Sequence, residues 1–98
     1  MDTNGPVANR DFPDTDGAAA LALHALIWAL KDEARAERLL QLTGLTPDDL
    51  RRRAGTAEVQ VAVLSFLEAH EPDLIACAKA VEATPLQLVQ ARMALEQA

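Results

Sequence analysis

Five arginines in the middle of the chain are the residues best suited to bind a charged partner. They lie within residues 31–53, where six basic residues stand beside five acidic ones, the only section of the sequence that leans basic. Guanidinium groups bind carboxylates through paired hydrogen bonds. The sequence therefore predicts a candidate patch for an acidic protein partner, formed by Arg35, Arg38, Arg51, Arg52 and Arg53.

A plainer interpretation of these arginines requires no partner. Asp48 lies four residues before Arg52, and Asp49 lies four before Arg53. This acid-first spacing stabilises an exposed helix by only a few tenths of a kcal/mol per pair. Because small surface ion pairs need no partner to explain them, a solvated helix face accounts for the same residues.

The stretch LTGLTPDDLRRRAG, residues 42–55, predicts two helices joined by a tight corner. Such a corner is also how a helix-turn-helix protein presents a recognition helix to DNA. That helix would begin with Pro47, Asp48 and Asp49, and its two carboxylates would repel phosphates. We therefore keep a helix-turn-helix DNA-binding regulator as the alternative function and disfavour nucleic acid as the partner.

His24 and Trp28 stand four residues apart on an otherwise apolar helix. Together they would line a small-ligand pocket, which is a third and more distant possibility for function. The more ordinary expectation places both side chains in the core, with the imidazole hydrogen-bonded to a neighbour and the indole filling volume.

Residue types for catalysis or metal binding are too scattered to form a site. Ser65 and Cys77 lie in apolar helices without an assignable base, and two histidines 46 positions apart do not make a metal site. We expect no enzyme activity and no cofactor. We also expect a set of acids to be surface residues rather than the paired acids of a catalytic site: Glu33, Glu37, Glu68, Glu71 and Asp73.

The composition of the 98 residues favours one all-α domain. Half of the residues are hydrophobic but only 3% are aromatic, so Leu, Ala and Val must form the core, which suits packed helices. The net charge of -6 opposes binding to nucleic acid or anionic lipid. A single cysteine, Cys77, indicates a reducing compartment, the cytoplasm, and the apolar run 18–30 is too short to cross a membrane.

Helix-capping residues divide the chain into a leader, residues 1–16, and one helical domain, residues 17–98. The leader is rich in Pro and Asp and is expected to be flexible. Asp16, Asp32 and Thr46 are predicted to cap the first three helices, with Gly44 and Gly55 ending the second and third. The six predicted helices cover residues of about 18–31, 33–43, 47–54, 57–69, 72–82 and 85 onward.

An offset of 38 residues superposes the second half of the chain on the first. It predicts two pseudo-repeated three-helix units, of about 17–54 and 55–92, although six unrelated helices remain the alternative. The first helix of each unit is apolar almost all round, so we expect both to be buried centrally. The matched residues include Gly17 with Gly55, Leu26 with Leu64, Thr46 with Thr84, Pro47 with Pro85 and Leu50 with Leu88.

The segments ALHALIWAL, LTGLTPDDLRRRA, VLSFLEAHEPDL and ATPLQLVQARMAL resemble a small bacterial family of all-helical domains of unknown function. The resemblance covers roughly residues 18–96, and LTGLTPDDLRRRA is its most specific part. It implies a helical fold and a bacterial cytoplasmic origin, and it brings no activity or ligand. The function we predict is a non-catalytic protein–protein interaction module that contacts another protein or a second copy of itself.

Overall fold

The computed structural model describes residues 14–98, which form six α-helices and no strands. The prediction of an all-α fold with six short helices is confirmed, and each described helix begins and ends within about three residues of its predicted bounds. Within this range, no helix has both the length and the apolar character needed to cross a membrane. The helices are α1 (Thr15–Leu30), α2 (Glu33–Thr43), α3 (Pro47–Arg53), α4 (Ala57–Glu68), α5 (Glu71–Ala80) and α6 (Pro85–Glu96).

Reciprocal capping boxes begin α3 and α6. At α3, the backbone N–H of Asp49 donates to Thr46 Oγ1 at 3.0 Å, and the backbone N–H of Thr46 donates to Asp49 Oδ2 at 2.9 Å. Thr84 and Gln87 make the same pair of bonds at α6. Because each box satisfies two N–H groups that the helix leaves free, both corners start where the sequence predicts.

The predicted cap of the first helix is wrong by two residues. Asp14, rather than Asp16, accepts the backbone N–H of Gly17 at 2.6 Å, so α1 begins at Thr15 and Asp16 lies in its first turn. An acidic side chain there still suits the positive end of the helix dipole. The rest of the predicted leader, residues 1–13, lies outside the described residues.

The two glycines predicted to end α2 and α3 have different backbone conformations. Asp32 caps α2 as predicted, and Gly44 ends it in a left-handed conformation with φ 76°. Ala54 is the C-cap residue of α3, and Gly55, which follows it, does not have a positive φ. A side chain at position 55 would therefore meet no backbone restriction of this kind.

Helices α1, α4 and α6 pack against one another to form the centre of the bundle. Helix α1 presents small side chains to this centre, which lets the other two helices approach closely. Helix α6 contributes Leu88, Ala91 and Leu95, which are buried as predicted, whereas α3 lies at the edge and buries only Leu50. The buried alanines of α1 are Ala18, Ala22, Ala25 and Ala29.

Helix α1 lies in the centre as expected, but one side of it is exposed. His24, Ile27 and Leu30 of α1 are exposed, and Ile27 is 54% exposed. Helix α4 is closer to the expectation, since even the polar Gln60 is buried and donates from Nε2 to the carbonyl oxygen of Ala54 at 3.1 Å.

Several features recur at the 38-residue offset, although the two-unit arrangement stays an interpretation. Gly44 and Glu82 are the two residues of the described chain with positive φ, at 76° and 61°. Thr46 and Thr84 begin the two capping boxes. The halves also differ, because α6 lies in the centre of the bundle while α3 lies at its edge.

Candidate functional site

The five arginines of the predicted patch fall into two groups with different surroundings. Arg35 closes the end of α1: its Nη2 donates to the carbonyl oxygen of Trp28 at 2.6 Å and its Nε to that of Ala29 at 3.3 Å. Its Cζ lies 3.6 Å from the centroid of the Trp28 ring. A cation at a helix C-terminus satisfies free carbonyls and suits the dipole, so Arg35 already has a structural role.

Arg38 joins α2 to α5. Its Nη2 donates to Asp73 Oδ2 at 2.7 Å, and His70 Nδ1 lies 3.1 Å from the same oxygen. Its Cζ lies 5.7 Å from the centroid of the Phe66 ring. Arg38 therefore has partners on α4 and α5, while its side chain stays 41% exposed.

Two of the acids expected to lie at the surface are instead partly buried, in ion pairs with basic residues. The side chain of Asp73 is only 14% exposed between Arg38 and His70. Glu68 on α4 accepts a hydrogen bond from Arg92 on α6, which also binds Glu96. The spacing of three between His70 and Asp73 is visible in the sequence, whereas the partners Arg38 and Arg92 lie 35 and 24 residues away.

Arg51 and Arg52 extend from α3 into solvent, whereas the side chain of Arg53 is only 40% exposed. Arg52 pairs with Asp48 at 3.2 Å, and Arg51 lies 3.7 Å from the same carboxylate, so two cations share one acid. Arg53 pairs with Asp49 and with Glu58. The side chains of Arg51 and Arg52 are 74% and 76% exposed, which makes them the two arginines of the predicted patch that are most open to a partner.

A groove of about 290 Å³ lies between α1, α2 and α3, and we name it the α1–α3 groove. Its walls are apolar apart from one arginine at the edge. Leu30, at the end of α1, is 43% exposed there. The residues that line the groove are Leu26, Leu30, Leu40, Pro47, Leu50 and Arg51.

A second cleft, of about 270 Å³, lies between the end of α1 and the end of α5, and we name it the α1–α5 cleft. His24 lines this cleft and is exposed, so the expectation that His24 and Trp28 both belong to the core is wrong for the histidine. Trp28 is half-buried. The cleft is lined on the α1 side by His24, Ile27, Trp28 and Lys31, and on the α5 side by Ala80, Val81 and Glu82.

Cys77 is buried in α5, where desolvation raises the pKa of its thiol to about 11. Such a thiol is almost wholly protonated at neutral pH and is a poor nucleophile. Ser65 is exposed on α4. Within residues 14–98, no three His, Cys, Asp or Glu side chains are grouped as metal ligands would be.

The corner between α2 and α3 presents carboxylates at the place where a DNA-recognition helix would need hydrogen-bond donors for phosphates and base edges. Helix α3 has only seven residues, and Asp48 and Asp49 occupy its first turn. The hydrogen bond from the backbone N–H of Thr46 lowers the pKa of Asp49, so this group is ionised at neutral pH. Negative charge at this end disfavours contact with phosphates.

Comparison with known proteins agrees with the resemblance in the sequence. No curated protein and no solved structure matches the chain. A family described as a protein of unknown function (DUF3572) matches residues 15–98, which covers all six helices. The chain therefore belongs to the DUF3572 family.

Proposed function

We propose that this chain is a non-catalytic protein-binding module and that the α1–α3 groove is its binding surface. The observation that carries the proposal is this apolar groove, where Leu30 is 43% exposed and where Arg51, one of the two most exposed arginines of the basic section, lies at the edge. Exposed apolar patches that are edged by polar groups commonly mark sites where another protein binds.

The occupant that fits this groove is an amphipathic helix with acidic residues along one edge. Grooves between helices accept the apolar face of a partner helix at spacings of three and four residues. Arg51, at the edge of the groove, shares the carboxylate of Asp48 with Arg52, so the charge of Arg51 is only partly compensated by its own neighbour. Acidic side chains on the partner would complement that charge and direct the helix into one orientation.

The 38-residue offset gives a reason to expect a helix as the occupant. Leu64 and Leu88 lie 38 positions after Leu26 and Leu50, which line the groove. Leu64 and Leu88 are fully buried in the centre where α4 and α6 pack against α1. Leu26 and Leu50 are slightly less buried, at 6% and 9% exposed, and a helix bound in the groove would complete their burial.

Photo-crosslinking in cells tests the groove directly. A photo-reactive residue placed at Leu30 should crosslink to one protein, and the crosslinked peptide should be an amphipathic helix with acidic residues on one side. The matched control is the same residue at Leu86, a 63% exposed leucine on α6. Equal crosslinking from both positions, or crosslinks from Leu30 only to a second copy of this chain, would contradict the proposal.

Charge reversal tests how much Arg51 and Arg52, rather than the apolar lining of the groove, contribute to binding the partner. The double change Arg51→Glu and Arg52→Glu should weaken the crosslink from Leu30, and added salt should weaken the wild-type crosslink, because exposed charges are screened. Lys79→Glu, an exposed charge change on α5, should have no effect.

A DNA-binding regulator remains the alternative, and a separate measurement decides it. Fluorescence anisotropy of labelled random duplex DNA at low salt should show no binding by the wild-type chain, because the first turn of α3 carries two carboxylates. Saturable binding that is lost in the Arg51→Glu and Arg52→Glu variant would favour DNA over a protein partner.

A further inference from the structure

The α1–α5 cleft brings both signs of charge to the rim of an apolar surface. Lys31 and Glu82 line it together, and within residues 14–98 neither forms an ion pair. Ile27, Trp28 and Val81 supply the apolar wall. With a volume of about 270 Å³, the cleft lies just below the range of about 300–1,000 Å³ for ligand pockets, so it suits a small molecule.

One face of the indole in this wall is covered by a guanidinium. Arg35 stacks against the Trp28 ring at 3.6 Å and binds the carbonyl oxygen of the same residue at 2.6 Å. These two contacts fix the ring and the backbone of Trp28 together, so the wall exists before a ligand enters. A preformed surface lowers the entropy that a small ligand must lose on binding.

Glu82 occupies a backbone position that favours glycine. Its φ is 61°, and its N–H donates to the carbonyl oxygen of Lys79 at 3.3 Å, while the N–H of Ala83 donates to that of Ala78 at 2.8 Å. These bonds form the Schellman motif that ends α5. Gly44 takes the left-handed position at the end of α2, so glutamate at the end of α5 is a residue with backbone strain.

We propose that the α1–α5 cleft binds a small zwitterion with an apolar side chain, in the chemical class of a free α-amino acid. The ammonium group of the ligand binds the carboxylate of Glu82, and its carboxylate binds Lys31, with the imidazole of His24 as a second donor. Its apolar side chain packs against Ile27, Trp28 and Val81. The strain at position 82 is then explained by the need for a carboxylate at this place on the rim.

Three related probes test the need for both charges. L-leucine carries both charges, L-leucinamide lacks the carboxylate, and 4-methylpentanoate lacks the ammonium group. Trp28 is the one tryptophan of the chain, so its emission reports on this cleft. Leucine should change the emission saturably, and each of the other two should bind about tenfold more weakly or worse, because each loses a charge-assisted hydrogen bond. No saturable change with leucine, or equal binding of 4-methylpentanoate, would overturn the proposal.

Variants at the rim distinguish binding from folding. Glu82→Gln and Lys31→Gln should each weaken leucine binding about tenfold, whereas Lys79→Gln, an exposed change on α5, should not. Glu82→Gly should raise the Tm by relieving the left-handed strain and should also weaken leucine binding. A Glu82→Gly variant that binds leucine like the wild type would show that the carboxylate has no part in the site.

Discussion

The guanidinium of Arg35 lies 3.6 Å from the centroid of the Trp28 ring and donates to the carbonyl oxygen of Trp28 at 2.6 Å. One side chain from the first turn of α2 therefore closes the C-terminus of α1 and covers the adjacent indole. The two interactions have separate physical origins, attraction to the helix dipole and attraction to the ring quadrupole. Arg35 thus fixes the corner between α1 and α2.

Replacing Arg35 with Met should lower the free energy of unfolding by about 1–2 kcal/mol, because the cation, its two hydrogen bonds and its stacking are lost together while the chain length is kept. Urea unfolding followed by circular dichroism measures the change. Arg52→Met is the matched control, since the side chain of Arg52 is 76% exposed. Equal stability of the two variants would show that Arg35 does not cap α1.

Helix boundaries could be predicted because the groups that set them are neighbours in the sequence. Thr46 and Asp49 cap each other across three residues, and Thr84 and Gln87 do the same. The sequence could not predict in the same way which face of each helix packs against its neighbours. In α1 nearly every position is apolar, so periodicity does not tell which side meets α4 and α6 and which side carries Ile27.

The candidate site shows the same division between local and distant contacts. The pairs of Asp48 with Arg52 and Asp49 with Arg53 follow from a spacing of four and are confirmed. The contact between Arg38 and Asp73 spans 35 residues and depends on how α2 and α5 meet. The sequence alone could therefore not distinguish Arg38, which bridges two helices, from Arg52, which faces solvent.

Gly44 should be sensitive to a change that Gly55 tolerates. At Gly44 φ is 76°, and an added Cβ would meet no atom within 4 Å, so the cost of Gly44→Ala comes from the backbone conformation alone. We expect it to lower the free energy of unfolding by about 1 kcal/mol, because the left-handed conformation costs an L-residue roughly 1–2 kcal/mol. Gly55→Ala should be neutral or slightly stabilising. Equal effects in thermal unfolding would contradict this assignment of the helix end.

Asp49 should make the first corner sensitive to acid. The backbone hydrogen bond from Thr46 lowers the pKa of Asp49 below its ordinary value of 3.8 in the folded state. The contribution of ionised Asp49 to the free energy of unfolding is therefore fully present above pH 3.8. It is lost as the pH falls through the lower pKa of the folded state.

Asp49→Gln, which copies the box of Thr84 and Gln87, should reduce the fall in Tm on acidification. Glu37→Gln, an exposed change on α2, is the control and should leave the pH profile unchanged. If both variants had the wild-type profile, the capping bond would not depend on the ionisation of Asp49.

Cys77 should be protected by the fold from thiol reagents. Burial raises the pKa of its thiol from 9.0 to about 11, so near pH 8 the native state holds roughly a hundredfold less thiolate than an exposed cysteine would. The reaction with a disulfide reagent should therefore be slow in the native protein and fast in denaturant.

Since the unfolded thiol ionises near pH 9.0 and the folded one near 11, stability should also fall as the pH rises through this range. Cys77→Ala should remove that alkaline loss. Rapid labelling of the native protein at the denatured rate would show that α5 opens readily, and the pKa of the thiol would then not be set by burial.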